Sequence, residues 1–244
     1  MLRALIADIH GNYPALESVL AYLDQQAITE IFCLGDIVGY AAQPVECVEL
    51  IQKRRIPAVL GNHDAGMTGM LAMSWFNAYA QTALLWTMKQ VSESVRDFLL
   101  GLPICYRDRG IGFAHGSWRD PERFSYLMEP EDTRGSFRKM REEEISLCFV
   151  AHTHRPGIFV DDGKSLAVCD DREIVLKKAN LYIINVGSVG QPRDSDPRAC
   201  CCIYNSISGL VQLVRLPYDV QAAQERILAA GLPSFLAARL AEGR

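Results

Sequence analysis

The sequence predicts an α/β fold whose first half is parallel and whose second half is mainly antiparallel, and three observations predict it. Apolar runs at residues 2–7, 31–34 and 57–60 alternate with two stretches of helical periodicity, the pattern of a βαβαβ unit with right-handed crossovers. Beyond residue 147, strand-length runs follow one another with turns and no helical pattern between them. Finally, all five histidines, His10, His63, His115, His152 and His154, sit in short polar clusters directly after apolar runs. The carboxyl ends of strands are where open α/β sheets present ligand-binding groups.

Taken in order, the first run delivers Asp8 and His10, two residues apart and so on one face if the strand persists. A carboxylate beside an imidazole suits a borderline divalent cation. Gly11 allows a turn, and Pro14 suits the first turn of a helix whose Leu16, Val19, Leu20 and Leu23 repeat at helical spacing. Asn12 reads as a turn or cap residue, and the helix start behind it would favour an anion. The second run ends in Gly35 and Asp36, Pro44 to Ile51 outline the next helix, and the third run leads into Gly61, Asn62, His63 and Asp64.

Residues 66–102 break this rhythm and predict a helical cap inserted into a single domain spanning 1–244. Ser74 is placed to cap a helix carrying Trp75, Phe76, Tyr79, Leu84 and Trp86, and Ser92 to start a second one closed by Gly101 and Pro103. Their aromatic residues form the cap's own core, with a few left to line a cleft. Runs at 104–106 and 111–114 read as a hairpin that delivers His115, and 117–145 as polar loop or helix with Glu142, Glu143 and Glu144 on a solvated face. The run 147–151 delivers His152 and His154. Strands follow at 157–160, 165–168, 173–176, 181–186, 199–204 and 209–216, interrupted by a conspicuous loop at 187–194, and helices at 219–230 and 233–241 close the chain.

Composition excludes several functions. A hydrophobic content of 49% is ample for a large core, while a net charge of −4 offers no basic footprint and argues against nucleic acid as the main partner. An acidic substrate would need a metal or local arginines. No signal-like N-terminus and no membrane-length apolar stretch is present, which leads to the expectation of a cytoplasmic protein without a membrane partner. The eight cysteines lack metal-finger spacing and fit reduced thiols; Cys200, Cys201 and Cys202 would face alternate sides of a strand.

Together Asp8, His10, Asp36, Asn62, His115, His152 and His154 supply two carboxylates, one amide and four imidazoles, too many for one closed structural zinc site. Two cations can be built from that set, with a carboxylate such as Asp36 bridging them and a water between them acidified into a nucleophile. Mixed nitrogen and oxygen donors suit manganese, iron or zinc.

At these residues the chain resembles the calcineurin-like metallophosphoesterase superfamily. Asp8-x-His10, Gly35-Asp36, Gly61-Asn62-His63-Asp64, His115 and His152-x-His154 follow that family's blocks in order, and the 187–194 loop resembles small bacterial members related to diadenosine tetraphosphatases and phosphodiesterases. The resemblance implies a four-layer α/β/β/α sandwich of two mixed sheets. It further implies that Asp8, His10 and His154 hold one cation, that Asn62, His115 and His152 hold the second, that Asp36 bridges, and that His63 protonates the leaving oxygen or else only donates a hydrogen bond.

Two departures from the family pattern bear on function. Ala151 stands where glycine usually precedes His-x-His. Residues 35–40 lack the Asp-Arg pair that protein phosphatases carry after Gly-Asp, so Tyr40 occupies the position of a phosphate-binding guanidinium. Arg193 either restores that contact or is a surface residue paired with Asp194 or Asp196. The leading expectation is a hydrolase of a small phosphodiester, nucleotide or phosphomonoester, with diesters at least as good as monoesters. Alternatives are a nuclease and a scaffold that keeps the fold without catalysis. Nothing in the sequence fixes oligomeric state.

Overall fold

Side-chain alternation along the central strands decides the layers. In β1 (Leu2–Ile6), Ala4 and Ile6 pack to one side and Leu5 to the other, and all three are inaccessible to solvent. The structure, a computed structural model describing residues 1–169 and 171–244, repeats this pattern in β5 (Leu147–Val150), where Leu147 and Phe149 join one core and Cys148 and Val150 another. A strand buried on both faces needs a layer on each side.

The first sheet has the order β2, β1, β10, β11, β8, with β2 at Glu30–Cys33, β8 at Glu173–Val175, β10 at Ala199–Asn205 and β11 at Leu210–Leu216. Only β1 and β2 run parallel; the other pairs are antiparallel. The second sheet has the order β3, β4, β5, β9, β6, β7, with β3 at Cys105–Asp108, β4 at Ile111–Ala114, β6 at Gly157–Asp161, β7 at Leu166–Cys169 and β9 at Leu181–Asn185. There β4, β5 and β9 are parallel neighbours.

Leu5, Phe32, Leu34, Phe113, Phe149, Ile184 and Cys202 fill the space between the sheets. Outside the first sheet lie α1 (Tyr13–Gln25), α2 (Pro44–Lys53), α4 (Ala78–Gln90), α5 (Glu93–Leu100), α7 (Val220–Ala229) and α8 (Ser234–Glu242), which bury residues such as Leu16, Val48, Leu84, Leu99, Ile227 and Leu236. Outside the second lies α6 (Pro130–Glu142), through Phe137 and Met140. The architecture is the expected four-layer sandwich. Within β10 the three cysteines are buried and unpaired, with Cys201 facing the helices and Cys202 the other sheet.

Two expectations are corrected, and one segment takes a form the sequence did not specify. The third parallel strand shrinks to one bridge, Ala58 with Cys33, because Pro57 has no N–H to donate and Leu60 turns its own N–H to Pro103. Residues 62–68 form a short helix, α3 (Asn62–Thr68), started by Gly61 and by the Asp64 carboxylate, which accepts from the Gly61 N–H. Ser74 falls inside a single 3₁₀ turn, and Asn77, not Ser74, caps α4 by accepting from Ala80 at 3.0 Å. No helix among the described residues is long and apolar enough to cross a membrane.

Candidate metal centre

The C-terminal ends of β1, β2, β4 and β5 meet at one edge of the sandwich, two from each sheet, and there the chain bends sharply. Asp8, His10, Asp36, His152 and His154 all have φ between 50° and 70°, a left-handed backbone that β-branched or bulky residues avoid. Such conformations cost on the order of 1–3 kcal/mol each and persist where surrounding structure imposes them. Here main-chain bonds do so: Asp8 N–H reaches Gly35 at 3.1 Å, His10 N–H reaches Asp36 at 2.9 Å, and Ala151 N–H reaches His115 at 2.8 Å. Ala151 itself is not in the left-handed region, so alanine in place of glycine is accommodated.

Each carboxylate has one oxygen anchored and one free. Asp8 Oδ2 accepts from the His152 N–H at 3.2 Å, and Asp36 Oδ1 accepts from the His63 N–H at 2.8 Å. Asp8 Oδ1 and Asp36 Oδ2 are buried without any hydrogen-bond partner. Buried carboxylate oxygens are costly when unpaired.

The imidazoles are oriented the same way. His10, His115 and His154 each direct Nδ1 at a carbonyl, of Val38 at 3.1 Å, Leu34 at 2.7 Å and Gln191 at 2.6 Å respectively. That assigns the Nδ1 proton from the hydrogen-bond network and leaves Nε2 for a ligand. His10 Nε2 and His154 Nε2 then face each other at 3.1 Å. Burial pushes both imidazoles well below the usual histidine range, so two bare lone pairs point at one spot, an arrangement a cation satisfies.

Donors gather into two groups that share Asp36: Asp8, His10, Asp36 and His154, and Asp36, His115 and His152. Asp36 Oδ2 lies 3.5 Å from His10 Nε2 and 3.3 Å from His115 Nε2. Beside the second group lies Asn62, whose Oδ1 is 3.2 Å from His115 Nε2, while His152 Nδ1 is 3.2 Å from that same nitrogen. Burial opposes charge on Asp36, yet the imidazoles of His115, His63 and His10 outweigh it and hold the carboxyl well below its usual range. Burial would likewise depress His115, but Asp36 and Asp8 push it up to about 9. The donor set, its two orphaned oxygens and its converging nitrogens fit two divalent cations.

Around this centre lie the other sequence-derived candidates. His63 is 4.8 Å from His10, 4.4 Å from Tyr40 and 5.1 Å from Phe76 between ring centroids, with Nδ1 buried and unbonded. A side chain at Gly39 would come within 2.5 Å of His63 Nδ1, so this glycine makes room for the ring. Arg193 is not paired with Asp194 or Asp196, which are engaged by Arg215 and Arg198; its guanidinium stands 5.5 Å from the Tyr40 ring and donates to Gln191 Oε1 at 2.7 Å. Gly190 permits its loop to lie against the turn that follows β1, because a Cβ there would meet Ile9 O at 1.8 Å.

Sequence reasoning named Asp64 without giving it a role and missed Tyr126 and Arg239. Asp64 receives the N–H groups of Ile37, Val38 and Gly61, tying the Asp36 loop to α3; its place as third helical residue after a glycine start is a capping pattern that could have shown it. Tyr126 stacks on His152 at 3.9 Å from a loop with no motif. Arg239 reaches the Tyr40 ring at 5.9 Å from α8, far away in sequence. A cleft of about 460 Å³ at the opposite end of the strands holds Arg3, Glu30 and Asp108, whose charges pair with one another.

Residues 1–206 match the family described as the Calcineurin-like phosphoesterase superfamily domain. The chain is 39% identical to an uncharacterized protein of Methanocaldococcus jannaschii, over 99% of this chain and 98% of that one. Among solved structures it is similar to a metallophosphoesterase from Sphaerobacter thermophilus, at 35% identity and a TM-score of 0.87 with both chains fully covered. It shares its fold with a hypothetical protein from Pyrococcus horikoshii OT3, at 20% identity and a TM-score of 0.80, over 100% of this chain and 98% of the other.

Proposed function

The chain belongs to the calcineurin-like phosphoesterase superfamily, a hydrolase of phosphoester bonds, and from that premise we propose that it works through two metal ions on a small phosphodiester, nucleotide or phosphomonoester. In this reading Asp8, His10 and His154 hold one cation, Asn62, His115 and His152 hold the other, and Asp36 bridges. Manganese, iron or zinc suits the mixed donors. Two cations held by these residues would supply Lewis acidity toward a phosphoryl oxygen and would lower the pKa of water toward neutrality.

The chain's own residues do the rest. Second ring nitrogens tied to main-chain carbonyls keep His10, His115 and His154 aimed inward. His63, a near neighbour of the donors but outside both groups, delivers the proton to the leaving oxygen. Burial holds it down at about 4, with Arg193 and His115 acting in the same direction against Asp36; an anion bound beside it would act in the opposite direction. Arg193, beside Tyr40, supplies a guanidinium on the leaving-group side of the phosphate, where the family's Asp-Arg pair is missing.

One observation carries the reading: Asp36 Oδ2, buried and without a hydrogen bond, stands within 3.5 Å of a nitrogen from each of the two donor groups. Elemental analysis of the purified protein is expected to find two divalent ions per chain. Asp36→Ala should reduce both and His10→Ala mainly one. A fully loaded, active Asp36→Ala protein would overturn the bridging role.

A further inference from the structure

A second arginine stands near this site, outside the residues that match the family. Arg239 lies on α8, beyond residue 206, and its guanidinium is 5.9 Å from the Tyr40 ring, where that of Arg193 is at 5.5 Å. Tyr40 in turn packs 4.4 Å from His63 and 4.7 Å from His10. Two guanidiniums therefore stand close to one ring that packs against both the proposed proton donor and a proposed metal ligand.

Neither arginine pairs with an aspartate or a glutamate among the described residues. Arg193 donates to Gln191 Oε1, and its Nε is buried with no partner at all. Arg239 donates Nε to the main-chain oxygen of Arg244, and its terminal nitrogens bond to no protein oxygen. Like charges brought together in a half-buried place repel, and burial together with Arg193 brings Arg239 down to about 10. The protein nonetheless builds the pair firmly. Phe235, one turn earlier on α8, lies 5.2 Å from the Arg239 guanidinium, Tyr79 of α4 stacks on Phe235 at 4.7 Å, and Leu236 and Leu240 root the helix in the core. Unpaired cations held in fixed positions are suited to an anion brought from outside.

We propose that Arg193 and Arg239 form a two-arginine clamp for a second phosphate, carried by the leaving group of the substrate. The location sets the side. His63 protonates the leaving oxygen in the function proposed above, on which this inference rests, and the pair stands close to the ring packed against His63. The substrate class is then a phosphoester whose departing portion bears its own phosphate, and α8 sets that preference.

A matched pair of compounds tests it: propane-1,3-diol bisphosphate, with a phosphate on its leaving group, against propyl phosphate, with none. For the metal-loaded protein, kcat/KM is expected to be about tenfold or more higher for the bisphosphate, beyond the factor of two from its equivalent ends, as charge-assisted pairs allow. Arg239→Ala should abolish most of that preference through KM, and Arg239→Lys should keep part of it, because a point charge remains without the planar fork. Equal losses on both compounds, or an unchanged preference, would overturn the clamp. If the loaded protein hydrolyses neither compound, the phosphoesterase reading fails for such esters, and binding then decides the clamp separately. The bisphosphate should raise the melting temperature more than propyl phosphate in the wild type and not in Arg239→Ala; equal shifts would overturn it.

Discussion

At the scale of single residues, protonation separates the proposed ligands. Burial pushes His10, His152 and His154 well below the usual range, so they are neutral at pH 7 and release nothing on binding metal. Asp8 is raised to about 7, chiefly by burial, and is ionised above that. His115 is the exception: against the effect of burial, Asp36 and Asp8 raise it to about 9, so it must give up a proton to become a ligand. Between pH 7.5 and 8.5 the metal affinity should therefore rise with pH by about one logarithmic unit per pH unit. Calorimetry in buffers of different ionisation enthalpy reads the released proton directly, and a flat affinity profile would count against this role for His115. A second residue-scale expectation concerns His63→Ala, which should lower turnover roughly 10²–10⁴-fold while sparing metal content. The loss should be smaller for a p-nitrophenyl ester than for an alkyl ester, since p-nitrophenolate scarcely needs a proton; equal losses would leave His63 as a positioning donor only.

At the scale of elements, the loop after β9 is anchored by a residue the sequence did not single out. Arg215 of β11 has a side chain only 3% exposed, pairs with Asp194, lies 3.8 Å from Asp196 and donates to Arg198 O at 3.0 Å. That loop supplies both the carbonyl that orients His154 and the Arg193 guanidinium. Arg215→Ala leaves a carboxylate unpaired in a poorly hydrated place, and it should cost about 3–5 kcal/mol and raise KM as Arg193 loosens. Denaturant melts and steady-state kinetics check both halves; a change below about 1 kcal/mol would show that the pair holds nothing. The contrast in legibility has a physical origin. Asp8, His10, Asp36, His115, His152 and His154 could be read because a strand places whatever follows it, and apolar runs mark strands. The missing third strand could not, since it hinges on where the Leu60 N–H finds its acceptor, a tertiary matter. Nor could Arg239, Tyr126 or Arg215, which reach their partners from elements remote in sequence.

At the scale of the molecule, the centre is a seam between two sheets. Asp8, His10 and Asp36 follow strands of the first sheet, His115, His152 and His154 follow strands of the second, and elsewhere the sheets meet mainly through apolar residues such as Leu5, Phe32, Phe113 and Phe149. In the proposed function a cation in either group would tie the halves together at one edge, because each group draws donors from both sheets. Without it, Asp8 Oδ1 and Asp36 Oδ2 stay desolvated and the His10 and His154 lone pairs stay opposed. Metal binds the folded chain and not the unfolded one, so its contribution follows mass action, about 4 kcal/mol at a thousandfold excess over the dissociation constant. For a chain of this length each kcal/mol shifts the melting temperature by roughly 2–4 °C, so chelation should lower it by roughly 8–16 °C. Asp36→Ala, lacking the bridge, should show a much smaller chelator effect, whereas Arg239→Ala, which leaves every proposed ligand in place, should show the full one. Melting curves with and without chelator for the three proteins provide the test. If chelation shifted wild type and Asp36→Ala alike, the metal would be bound away from the seam, and the fold would not depend on it for joining the sheets.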